Sequence, residues 1–121
     1  MQYDKDILGE HGDIFRKIRQ ILLSYPQIKE VKNAKQTSYS DEYGVVVMMR
    51  VKGDELVVAF GKGHKLQRDY PKLQGNGKIV RHLYLKSNDT VDEALLREMI
   101  EESFILGMEA AEMKELKMKM K

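Results

Sequence analysis

The residues best suited to chemistry fall in one short stretch, Gly75-Asn76-Gly77-Lys78-Ile79-Val80-Arg81-His82. Closely spaced glycines let backbone N–H groups converge on an anion, and Lys78, Arg81 and His82 add charge and further donors. The pattern therefore fits a site for phosphate or carboxylate. Its surroundings point the same way. Between residues 60 and 86 seven cations (Lys62, Lys65, Arg68, Lys72, Lys78, Arg81 and Lys86) face a single acid, Asp69, for a net charge of 7 − 1 = +6. No nucleotide fingerprint is present: a Walker A loop would need Gly where Lys72 stands and Ser or Thr where Ile79 stands. Gly61 and Gly63 likewise lack a third glycine, because Leu66 occupies its place. The same residues also read as a glycine turn feeding a strand with solvated cations. Along that strand Arg81 would share a face with Ile79, Leu83 and Leu85, and His82 with Val80 and Tyr84. One of the two polar side chains must then sit among apolar neighbours.

A second constellation is acidic. Asp6, Glu10 and Asp13 have i, i+4, i+7 spacing and would line one face of a helix that began early enough, where a hard cation such as iron, Mg²⁺ or Ca²⁺ could bind. An acidic first turn favoured by the helix dipole accounts for the same residues without a metal. His11, His64 and His82 show no HExxH spacing, and no GxSxG is present. The chain has no Cys, which excludes disulfides, thiolate metal sites and a Cys nucleophile. With no catalytic spacing to defend, the expected activity is binding rather than catalysis, without a cofactor unless the iron alternative holds.

Composition narrows the partners. The 121 residues carry 21 Lys+Arg against 19 Asp+Glu, with 42% hydrophobic residues. That suits one domain with its own core over residues 1–121. The longest aliphatic stretch, Val45 to Met49, is far short of the ~20 apolar residues of a membrane span. Acids at Asp4 and Asp6 stand where a secretion signal would be basic, so the expected location is the cytoplasm. The whole-chain net charge of +2 is low for a dedicated nucleic-acid binder. A small anionic ligand or a protein partner, with a homodimer left open, is expected ahead of non-specific nucleic acid.

The elements that must position these residues can be read from periodicity. Ile14, Ile18, Ile21 and Leu22 form one helical stripe, predicting a helix over about Asp13 to Tyr25 that Pro26 ends. Gly9 and Gly12 weaken any extension toward the N-terminus. Val45 to Val51 and Glu55 to Phe60, joined by Lys52-Gly53-Asp54, predict a hairpin. A weaker strand is expected at Lys35 to Tyr39, another at Lys78 to Lys86, and a helical turn within Leu66 to Leu73. Thr90-Val91-Asp92-Glu93 fits a capping box opening a long helix lined by Leu96, Met99, Ile100, Ser103, Phe104 and Gly107. The last residues, 117–121, are expected to fray. The order helix, antiparallel strands, helix predicts an α+β two-layer sandwich with both helices on one sheet face.

Phe60-x-x-Gly63-x-x-Leu66, Asp69-Tyr70-Pro71, Leu73-Gln74-Gly75-Asn76-Gly77-Lys78-x-x-Arg81-His82 and the helix led by Asp92-Glu93 and Leu96 together resemble the YdhG-like family. This bacterial family has no known function, and some members are labelled frataxin-like iron chaperones. The resemblance spans roughly residues 13 to 107, and its specific part is Gly63 to His82. Members carry an aromatic-Gly-x-Pro stretch before the hairpin, whereas Ser38 to Gly44 here has no Pro. The resemblance implies the same α+β sandwich and no catalytic residues. Were the iron label to apply, Asp6, Glu10 and Asp13 would be its natural carriers.

Overall fold

The computed structural model describes residues 1–120. Its elements run α1 (Gln2–Leu8), α2 (Gly12–Leu23), β1 (Lys29–Lys32), β2 (Thr37–Asp41), β3 (Gly44–Lys52), β4 (Glu55–Phe60), α3 (Gly63–Leu66), β5 (Arg81–Lys86) and α4 (Glu93–Lys119). The strands form an antiparallel meander in the order β1-β2-β3-β4-β5. Short connections make this the natural arrangement, since each strand turns back onto the one before it.

Alternation along the strands decides the layers. Val47, Met49, Val51, Leu56, Val58 and Phe60 share one face by register, and they pack with Ile14, Phe15, Ile18, Ile21 and Leu22 of α2 and Leu96, Met99 and Ile100 of α4. The sandwich is therefore the expected one, with the N- and C-terminal helices on the same side of the sheet. α2 is tied to α4 through the Lys17–Glu93 ion pair at 3.0 Å, and the segment just after α2 through an edge-on contact of the Tyr25 and Phe104 rings at 5.3 Å. Gly53, at φ 63°, supplies the left-handed residue that the two-residue turn of the β3–β4 hairpin requires.

Several local expectations shift. The N-terminal helical segment is two helices, because the chain breaks at Gly9-Glu10-His11 before α2 begins. β1 is an additional edge strand whose Lys29-Glu30-Val31-Lys32 pattern shows little apolar signal, as suits an edge kept from pairing with other chains. β5 starts at Arg81 rather than Lys78, since the Ile79 carbonyl is taken by the His64 amide at 2.8 Å. The helical turn lies earlier than expected, at Gly63–Leu66. At the C-terminus α4 continues to Lys119, with Glu115 and Lys119 paired one turn apart at 3.3 Å. Lys121 lies outside the described residues.

The cap of α4 is also displaced. Asp92, not Thr90, is the N-cap, and its carboxylate accepts from the Leu95 amide at 3.1 Å. Asp92→Ala should therefore cost about 1 kcal/mol. Thr90→Ala should change stability by only a few tenths of that, and chemical denaturation of the two variants distinguishes the assignments.

Candidate functional site

The glycine-rich segment does not gather its polar residues. Residues 74–80 fold back along the start of β5, where Gln74 and His82 exchange backbone hydrogen bonds of 2.8 Å each. Adjacent residues of a strand point to opposite faces, so Arg81 and His82 part company. Arg81 lies on the helix side with Leu83 and Leu85. Its Nε donates to Gln67 Oε1 at 2.8 Å, and Nη1 donates to the carbonyls of Gly77 and Val80. Gln67 in turn donates to the Leu73 carbonyl at 2.9 Å. Arg81 thus clamps the loop to α3, with Nε and Nη1 committed to neutral acceptors within the chain. Lys78 stands exposed, with neither an ion pair nor a hydrogen bond from its amine among the described residues. Gly75, at φ 130°, turns the loop, and Gly77 is exposed beside it.

His82 instead faces the side of the sheet that no helix covers. Register places Val31, Ser38, Met48, Ala59 and His82 in one row across all five strands. Arg50, Val57 and Tyr84 form the next row, and Lys52, Glu55 and Lys86 the one beyond. A depression of about 430 Å³ opens over the middle of this face. Val57 and Ala59 form an apolar floor, with Met48 beside them. Lys35, Arg50 and His82 stand at its margin, and Asn33 and Gln36 close it from the β1–β2 turn. That turn is held by Asn33 Oδ1, which accepts from the amides of Lys35 and Gln36 at 3.0 and 2.9 Å. Gln36 Nε2 also reaches the Met48 sulfur at 3.1 Å.

The two cations at the depression are uncompensated. Among the described residues neither Lys35 nor Arg50 is ion-paired, and no side-chain hydrogen bond from either is formed. His82 Nδ1 is buried without a partner, beneath Gly75. The ring of His82 lies 5.8 Å from that of Tyr84 at a tilt of 33°. Cationic and hydrogen-bonding groups above an apolar floor can hold an anionic head group while its body covers Met48, Val57 and Ala59.

Cations elsewhere on the chain go to other surfaces. Lys65 faces the α4 groove, and Lys72 lies by a cleft formed with Leu83, Leu95 and Met99. The basic segment of net charge +6 is therefore not one continuous stripe leading into the open sheet face.

The acidic residues are separated as well. Asp6 is buried on α1, where Oδ1 accepts from Gln2 Nε2 at 2.7 Å and from the Val51 amide at 3.2 Å. β2 begins, at Thr37, opposite Met49, so Asp6 takes the place of the missing ladder partner of Val51. Burial pushes the Asp6 carboxyl above the usual range, which opposes metal ligation by its anion. Glu10 sits in the break between α1 and α2 and accepts from Ser87 at 3.1 Å. Asp13 is exposed in the first turn of α2 beside Arg16 at 3.3 Å. The i, i+4, i+7 face does not form because two helices replace one. Among the described residues no group of three or more His, Asp or Glu could hold a metal ion.

Arg50, Lys35 and Gln36 are the site residues that the motif search passes over. A signal for Arg50 was present: β3 alternates Val47, Met49, Val51 with Met48, Arg50, Lys52, so the second set must face away from the core. Lys35 and Gln36 carry no comparable signal, since their position depends on how the β1–β2 turn bends over the sheet.

No helix among the described residues is long and apolar enough to cross a membrane. No family model matches the chain, and neither does any curated protein. Among solved structures, the chain is similar to a Bacillus subtilis protein of the DUF1801 family, YdhG, whose crystal structure superposes with a TM-score of 0.60 at 21% identity. The match covers 83% of this chain and 86% of that one. Open five-stranded sheet, flanking helices and element order thus agree with the family resemblance of the Gly63–His82 segment, and the chain has the YdhG-like α+β fold.

Proposed function

We propose that this protein is a binding domain whose open sheet face takes a small anionic molecule, or an anionic group of a partner, bearing phosphate or carboxylate. The observation that carries the reading is the 430 Å³ depression with Lys35, Arg50 and His82 around an apolar floor. Lys35 and Arg50, left unpaired above apolar surface, gain most from a ligand that supplies both charge and an apolar body. Of the glycine-rich residues, His82 belongs to this site. Gly75 and Gly77 shape the loop behind it, Arg81 clamps that loop, and Lys78 is outside the depression. The iron-handling alternative draws no support from Asp6, Glu10 and Asp13, which occupy three different settings. Nucleic acid is disfavoured by the dispersal of the basic residues and by the single tyrosine among the residues facing outward from β2 to β5.

The test is amide chemical-shift mapping with pyrophosphate, citrate and AMP, alongside thermal shift with the same anions and with a short single-stranded DNA. Shifts should concentrate at Lys35, Met48, Arg50, Ala59 and His82. Arg50→Ala should weaken binding about tenfold to a hundredfold, the loss of one charge-assisted contact. Lys78→Ala should leave affinity unchanged. Perturbations confined to residues 75–78, with loss of binding in Lys78→Ala, would move the site to the glycine loop. Stabilisation by DNA alone, falling steeply with salt, would replace the small anion by a nucleic acid.

A further inference from the structure

α4 is longer than the body it packs on. At 27 residues it extends about 40 Å. Its buried residues, Leu96, Met99, Ile100, Ser103 and Gly107, all lie at or before residue 107. From Met108 to Met120 every residue is exposed except the half-buried Ala111.

The projecting half is not uniformly polar. At 100° per residue, Ala110, Met113, Lys117 and Met120 fall within about 40° of a common line, which Leu106, half-buried against the core, continues toward the body of the domain. Met113 is 53% exposed and Met120 77%, which is costly for large apolar side chains with nothing over them. A groove of about 570 Å³ flanks the middle of this stripe, lined by Ala110, Met113 and Lys117 together with Glu109, Lys114 and Met118, and bounded on its other side by Lys65 of α3.

Two charges mark the stripe. Lys65 and Lys114 also line the groove, but the charges of the stripe are Glu109 at its edge and Lys117 in its middle, and neither of these two is ion-paired among the described residues. They are eight residues apart, about 12 Å along the helix, too far to pair within one chain. They are also placed symmetrically, four residues before and four residues after Met113.

We propose that this stripe is the interface of an antiparallel homodimer with its two-fold axis at Met113. The axis maps residue 113 + n onto 113 − n of the second copy. Glu109 of each copy then meets Lys117 of the other, Leu106 meets Met120, and Met113 packs on itself. A parallel pairing would instead set Lys117 against Lys117 in an apolar seam, so charge selects the antiparallel arrangement. Lys117 reaches its counterion by lying along the seam, its methylenes covering the methionines.

Sedimentation equilibrium of the full chain from about 5 to 500 µM tests the proposal. A contact confined to one helical stripe should fall short of the ~800 Å² per partner of standard interfaces, so the expected dissociation constant is roughly 10–100 µM. Met113→Lys should leave a monomer at all these concentrations, with the circular dichroism of the folded domain retained. Glu109→Lys and Lys117→Glu should each raise the dissociation constant at least tenfold, and the two together in one chain should restore it to within about threefold of the parent. A parent that stays monomeric would overturn the proposal, and so would a dimer indifferent to Met113→Lys. A charge-exchanged double variant as weak as the singles would overturn the antiparallel register. Binding of poly-glutamate by a monomeric parent, abolished in Lys117→Glu, would assign the groove to an acidic partner instead.

Discussion

Gly63→Ala should destabilise the domain by about 3 kcal/mol, the upper end of what overpacking by one methyl group costs. Gly63 opens α3 in a buried position against the start of β5. A Cβ there would lie 2.9 Å from Arg81 Cα and closer still to the Arg81 amide nitrogen and Cβ. Those atoms are backbone or fixed to it, so relief requires α3 and β5 to move apart. Movement would strain the His64 amide to Ile79 carbonyl bond and the Arg81 contacts with Gln67, Gly77 and Val80. It would also shift His82, which follows in the same strand, so anion affinity at the open sheet face should fall with stability. Gly77→Ala is the control. Its nearest neighbour beyond the adjoining residues, the Val80 carbonyl, is 4.0 Å from the added Cβ, and its φ is not positive. Urea denaturation should place Gly77→Ala within about 0.5 kcal/mol of the parent. Equal effects of the two substitutions would show that the α3–β5 contact is not tight in solution.

Glu30→Ala should cost about 3 kcal/mol, the range for removing one member of a largely buried ion pair. Glu30 faces the helix layer from β1. Arg19 donates to it twice, Nε to Oε2 at 2.7 Å and Nη2 to Oε1 at 3.0 Å, and the Tyr39 hydroxyl donates at 2.8 Å. Tyr39 is wholly buried, so without Glu30 its hydroxyl loses its partner in a place water does not reach. Burial and the Glu30 hydrogen bond both push the Tyr39 hydroxyl pKa upward, keeping it a donor across the accessible pH range. Glu30→Gln retains an acceptor for Tyr39 but loses the charge that Arg19 faces, and should cost less than Glu30→Ala. Lys32→Ala, whose amine lies 4.0 Å from Glu30 and is 43% exposed, should be near neutral.

The acid response of Glu30 follows from its surroundings. Burial alone would raise its carboxyl pKa, but the hydrogen bonds from Arg19 and Tyr39, with the charges of Arg19 and Lys32, hold it below the ordinary 4.5. A lowered folded-state pKa means stability that is complete above the unfolded value and is lost as pH falls through the folded one. Asp6 has the opposite sign, because burial raises its pKa and its ionisation weakens the fold as pH rises above 3.8. Denaturant midpoints of the parent, Glu30→Gln and Asp6→Asn between pH 3 and 6 should therefore diverge in opposite directions. The advantage of the parent over Glu30→Gln should shrink on acidification, and its advantage over Asp6→Asn should grow.

Much of the layer plan was legible in the chain. The stripe of Ile14, Ile18, Ile21 and Leu22 defined α2, and the alternation on either side of Gly53 defined the β3–β4 hairpin. Both signals are local and strong, since a helix or strand with one apolar face has few other places to put it. β1 was not legible, because its four residues carry no apolar alternation and its pairing depends on β2. The Thr90 capping box was a valid local motif that lost to Asp92, whose carboxylate meets the Leu95 amide once the chain has left β5.

The candidate site divides along the same line. Composition and spacing by themselves determined that this is an α+β domain without thiol chemistry, with its surplus cations gathered around the glycine-rich segment. Tertiary structure decided which polar groups face the open side of the sheet and which are spent on partners within the chain. Arg81 is committed to the Gly77 and Val80 carbonyls, His82 is turned to the other face one residue later, and Arg50 joins it from two strands away. The physical reason is range. Periodicity within an element fixes which way each side chain points, but a charge is free or spent according to partners that only folding brings within 3 Å.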